Sequence, residues 1–171
     1  MKVTGRVWKL PQDDINTDQI RRKIYAHLPA KDQAKHCFEE LDPGFAGKVT
    51  PGDILVVGRN FGCGSSTLVH GALMALGITA VVAESFGRLF FRSSISGGLA
   101  VAICPGIVRA VSDHDRIEVD TASGQVTNLA NRRILPCKAI PDVLREMIEC
   151  GGEKPYLKRR LAQHASAPER T

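Results

Sequence analysis

Ile54-Leu55-Val56-Val57-Gly58-Arg59-Asn60-Phe61-Gly62-Cys63-Gly64-Ser65-Ser66 reads as a buried strand that runs into a glycine turn and ends on two serines. The apolar run follows the turn residues Thr50-Pro51-Gly52-Asp53 and has the length of a core strand. Beyond the serines, Leu68 to Leu76 reads as a helix. Gly62 and Gly64 let the backbone turn tightly and approach a ligand. On this reading Ser65 and Ser66 stand at a helix start. Free N–H groups and a positive dipole end there attract carboxylate or phosphate. The same groups would stabilise a serine oxygen that gives up its proton. The segment is therefore the candidate active site. The plainer alternative is that the serines are helix N-caps, and the pattern alone does not choose.

The segments around the loop set the fold. Ala80-Val81-Val82-Ala83 reads as a second strand, Gly87 to Ser94 as a helix, and Leu99-Ala100-Val101-Ala102 as a third strand after Gly97-Gly98. Strand–helix–strand–helix–strand order implies a mostly parallel α/β core with right-handed crossovers. Ligands bind such sheets at the carboxyl ends of the strands, where this loop lies. Residues 2–9 read as a further strand, and residues 116–129, around Ser123-Gly124, as an added β-hairpin. A helix is expected near 31–40, another over 141–150 after Pro141, and a short one from Lys154 to Leu161. Residues 1–163 read as one domain, with 164–171 as a polar, disordered tail.

Composition narrows the function classes. The chain has 171 residues, 43% of them apolar, enough for one sizeable core. The start reads as a strand rather than a signal peptide and no run is long enough to span a membrane, so a cytoplasmic location is expected. The net charge of +5 is concentrated in Arg21-Arg22-Lys23 and in the stretch from Lys154 to Arg160. Aromatics make up only 5% and do not interleave with these cations, which argues for an anionic substrate or acidic partner over nucleic acid. The five cysteines lack Cys-x-x-Cys spacing, so neither a disulfide framework nor a metal or cluster site within the chain is implied. Cys63 differs from the others because it lies in the glycine turn and faces the candidate site.

Several words of the sequence resemble one family in order. Asn60-Phe61-Gly62-Cys63-Gly64-Ser65-Ser66 resembles the active-site serine loop of the aconitase superfamily, and more narrowly that of the small subunits of 3-isopropylmalate dehydratase and homoaconitase. Asp14-Ile15-Asn16-Thr17-Asp18-Gln19-Ile20, Glu84-Ser85-Phe86-Gly87-Arg88-Leu89-Phe90-Phe91-Arg92, Gly97-Gly98-Leu99 and Gly151-Gly152 with Pro155-Tyr156-Leu157 resemble further family segments. The resemblance implies a swivelling β/β/α domain that closes over a large subunit carrying a [4Fe–4S] cluster. It implies a hydro-lyase that dehydrates and rehydrates a malate-type hydroxy acid, a small di- or tricarboxylate. By position it makes Ser65 the base, Asp18 an acidic support, and Ser66, with Gly64 and Cys63, part of the carboxylate contact.

The chain departs from that pattern at two places. Thr67 stands where the family has a carboxylate-gripping arginine, and threonine offers no bidentate, charge-assisted clamp. Arg21-Arg22-Lys23 stands where the family has apolar or small residues. Arg21 and Arg22 are therefore candidate replacement cations, beside the plainer reading of a solvated basic loop. A non-catalytic module that binds an anion or RNA, or regulates a partner, is the alternative built on the same fold.

Overall fold

The computed structural model describes residues 1–64 and 67–165. The elements in order are β1 (Lys2–Leu10), α1 (Thr17–Ile20), α2 (Ala30–Ala34), α3 (Phe45–Lys48), β2 (Asp53–Val57), α4 (His70–Leu76), β3 (Ile78–Ala83), α5 (Arg88–Ser96), β4 (Ala100–Ile103), α6 (Ile107–Ala110), β5 (Arg116–Asp120), β6 (Gln125–Asn128), β7 (Ile134–Pro136), α7 (Asp142–Glu149) and α8 (Glu153–Ala165).

The strands form one seven-stranded sheet in the order β4-β3-β2-β1-β5-β6-β7. β1 to β4 run parallel, in a register that sets Val7 beside Ile54, Ile54 beside Ala80 and Ala80 beside Ala100. β5 to β7 continue the sheet antiparallel. The expected α/β class, parallel core and added hairpin are therefore present. β1 joins the two halves by pairing with β5 through residues 2–6 and with β2 through residues 7–10. β2 is buried at every residue, as a parallel strand covered on both faces should be. Each aliphatic side chain removed from water there contributes about 1.5–3 kcal/mol.

A polar knot locks β1 to the start of β2. The Asp53 carboxylate accepts from the Arg6 guanidinium at 2.8 and 3.2 Å, from Trp8 Nε1–H at 2.6 Å and from Thr50 N–H at 2.8 Å. Burial alone would push the Asp53 carboxyl up, but these bonds outweigh it and hold the group below the usual carboxylate range.

Three local expectations change. The helix near 31–40 stops at Ala34, because Phe38 adopts φ +59° and turns its N–H to the Ile20 carbonyl at 2.9 Å. β7 ends on Pro136 and extends the hairpin by a strand. The last helix is longer than expected and takes in residues 164 and 165, while 166–171 lie outside the described residues. No helix among the described residues is long and apolar enough to cross a membrane.

Candidate active site

Beyond the carboxyl ends of β1, β2 and β3 the chain repeats the order of those strands in miniature. Asn16 bridges Cys63 in parallel, and Phe61 bridges Phe86 in parallel. Gly62 N–H donates to the Ile15 carbonyl at 2.8 Å and Thr17 N–H to the Cys63 carbonyl at 3.0 Å. On the other side Phe61 N–H donates to the Ser85 carbonyl at 3.1 Å and Gly87 N–H to the Phe61 carbonyl at 2.8 Å. The approach to the serines is thus held from both flanks by main-chain bonds. Phe61 is buried and meets Phe90 edge-on at 5.1 Å between ring centroids. Gly62 has φ +74°, and a Cβ there would collide with the Phe90 ring. Glycine is required on both counts.

Asn16 caps α1 by accepting from the N–H groups of Asp18 and Gln19, while Gln19 Oε1 accepts from Asn16 N–H at 3.0 Å. This reciprocal cap aims the Asp14–Ile20 segment at the loop. Sequence reading passed over Asn16, although its spacing to Gln19 carried the signal.

The candidate residues separate. Ser65 and Ser66 lie outside the described residues. Gly64 is exposed with φ +93°. The half-buried Cys63 thiol donates to the Asp14 carbonyl at 3.4 Å. Burial first, and then Asp14, push that thiol up, so it is a protonated neighbour and not a thiolate. Asp18 is exposed, and its carboxylate accepts from Lys23 N–H at 3.0 Å. Arg22 points away to Glu40, with Nε 3.4 Å from its carboxylate.

Arg21 is not on a solvated basic loop. It is 1% exposed and donates to the carbonyls of Leu68 at 3.0 Å and Arg22 at 3.1 Å. Its buried Nε has no partner and no carboxylate pairs with it among the described residues. Burial pulls the guanidinium below its ordinary range, with Cys37 and Asp18 opposing. Burial also pushes the Cys37 thiol up to about 12, so it is neutral and offers no compensating charge.

This arginine explains a correction to the expected helix. Residues 67–69 are not helical; α4 begins at His70 and has seven residues. The Leu68 carbonyl is taken by Arg21, and the first helical bonds, from the Ala72 and Leu73 N–H groups, fall on Val69 instead. The expected helix from Leu68 therefore begins two residues later, at His70, while the expectation that Ser65 and Ser66 stand at its start falls outside the described residues. The His70 ring packs on Gly97, and burial pulls its pKa below the ordinary value.

Thr67 lines a cavity of about 220 Å³ between the loop exit and α5. Leu68, Leu89 and Phe90 give it an apolar wall, Thr17, Ser93 and Ser96 add hydroxyls, and Arg92 is the only ionisable residue in its lining among those described. Also among the described residues, no three His, Cys, Asp or Glu side chains converge to hold a metal ion.

The sheet and the clamped loop define an aconitase-type domain. Residues 3–102 match the Aconitase C-terminal domain family, and the chain belongs to it. Relatives in that family include dehydratase and isomerase small subunits. It is 41% identical over 165 residues to the 3-isopropylmalate dehydratase small subunit of Thermodesulfovibrio yellowstonii, covering 95% of this chain and 97% of that one. It is 39% identical over 164 residues to the isopropylmalate/citramalate isomerase small subunit of Methanocaldococcus jannaschii, covering 94% and 96%. The crystal structure of 3-isopropylmalate dehydratase from the same organism superposes with a TM-score of 0.88 at 34% identity, over 98% of this chain and 100% of that one.

Proposed function

We propose that this chain is the swivelling small subunit of a two-subunit hydro-lyase that dehydrates and rehydrates a malate-type hydroxy acid such as isopropylmalate or a related substituted malate. Residues 1–163 act as one domain that closes over a large subunit, and the [4Fe–4S] cluster belongs to that partner. Ser65 takes the carbon-bound proton beside a carboxylate. Ser66, Gly64 and Cys63 frame the substrate, and Asp18 holds the turn that carries Arg21.

The observation that carries this reading is the double clamp on residues 61–63. It fixes residues 61–63, which precede Ser65 in the sequence, at the carboxyl edge of the parallel strands, where an α/β sheet binds its ligand. A serine is a weak base in water and needs a preorganised positive field. In this reading Arg21 contributes positive field to the loop. Its buried guanidinium is bonded to the carbonyl two residues beyond Ser66 and pairs with no carboxylate among the described residues. The adjoining cavity suits the substrate class, with an apolar wall for a branched substituent and hydroxyls and a cation for carboxylates.

The test is anaerobic co-expression with a large subunit, followed by a panel of hydroxy acids and unsaturated acids. Alkene formation from a substituted malate is the expected result. Failure with every acid in the panel, together with tight, salt-sensitive RNA binding by the purified chain, would replace this reading with that of a nucleic-acid module.

A further inference from the structure

We propose that Arg92 grips a substrate carboxylate in place of the arginine that Thr67 replaces, an inference that rests on the dehydratase reading. Arg92 lies on α5, the helix whose Phe90 ring packs against Gly62 and so fixes the loop. It lines the same cavity as Thr67. No other lining residue among those described carries a formal charge, so a carboxylate entering the cavity meets one cation and no repelling anion.

The guanidinium is available. Arg92 is exposed and forms no ion pair among the described residues. It also borders a second cleft that contains Glu153, yet the two do not pair. A planar guanidinium on a helix that is packed on its other side forms two parallel bonds to a carboxylate, which the Thr67 hydroxyl does not. The rest of the lining sets the shape of the acid. Leu68 and Leu89 are 62% and 48% exposed and form an apolar lip that closure over a partner would cover. The ligand class is therefore a hydroxy diacid with an aliphatic branch, its carboxylate on Arg92 and its branch on Leu68, Leu89 and Phe90.

The experiment uses the assembled complex with Arg92→Gln and Arg92→Lys, a 2-alkylmalate and its two mono-amides. Arg92→Gln is expected to raise KM for the diacid about 10- to 100-fold, the size of one lost charge-assisted bond, with a smaller change in kcat. Against one mono-amide the same variant should match wild type, and Arg92→Lys should fall between. An unchanged KM, or an equal loss on the diacid and both amides, overturns the proposal. A second arm titrates succinate into the full chain and follows the arginine Nε–H signals by NMR. If the wild-type complex turns over no hydroxy acid, the dehydratase reading falls. A succinate-dependent shift of the Arg92 signal then upholds the anion site, and its absence overturns that too.

Discussion

Replacing Gly62 with alanine tests whether the approach to the serines is rigid. At φ +74° an L-residue costs about 1–2 kcal/mol. The added Cβ meets the Phe90 ring, and overpacking of a filled site costs about 1–3 kcal/mol more. Reduced freedom of the unfolded chain offsets about 0.5–1 kcal/mol. The net loss expected is about 1–4.5 kcal/mol. Trp8, the only tryptophan, is buried beside Phe45 and reports unfolding by fluorescence. With a slope of about 2 kcal/mol per molar urea, the midpoint should fall by about 0.5–2 M. Phe90→Ala in the same chain removes the Cγ and Cδ2 atoms that the new Cβ meets and should relieve part of the steric term, giving a favourable coupling of about 1 kcal/mol or more in a double-mutant cycle. In the assembled enzyme turnover should fall about 100-fold. A midpoint shift below about 0.3 M, or strict additivity with Phe90→Ala, would refute the packing argument.

Other substitutions separate stability from chemistry. Asp53→Asn should lose about 2–4 kcal/mol at neutral pH, because it weakens the bonds from Arg6 and Trp8. The folded pKa of Asp53 is depressed, so its contribution is complete above the unfolded value near 4 and is lost as pH falls through the folded one. Thermal melts should therefore show the gap between wild type and variant narrowing in acid. Arg21→Met removes a buried, uncompensated charge and should leave stability within about 1 kcal/mol. The assembled complex should nonetheless lose about 100-fold in kcat, which steady-state kinetics would check. Thr67→Arg in the Arg92→Gln background should recover at least about 10-fold of the lost KM, as one clamp replaces the other.

The parts of the fold that can be read along the chain are those whose signal is local. The apolar runs at 54–57 and 80–83 are buried strands, and Gly97-Gly98 ends α5 as expected. Pro141 caps α7. What escapes such reading depends on contacts distant in sequence. Arg21-Arg22-Lys23 looks like one solvated block, yet Arg21 is drawn inside by the Leu68 carbonyl 47 residues away while Arg22 stays on the surface with Glu40. The same bond shifts the start of α4 to His70, which no helix propensity encodes. At the site, the glycines and the Asn60–Gly64 turn are legible because backbone geometry demands them. Arg92 has no legible role along the chain, since only the folded chain sets it in the cavity with Thr67.

The most direct measurement compares wild-type and Ser65→Ala chains, each assembled with the large subunit, for association and for hydro-lyase turnover in the same preparation. Equal affinity for the partner with turnover reduced by at least about 1,000-fold is the predicted result. Assembly with turnover close to wild type would contradict the assignment of the proton-abstracting group to this loop.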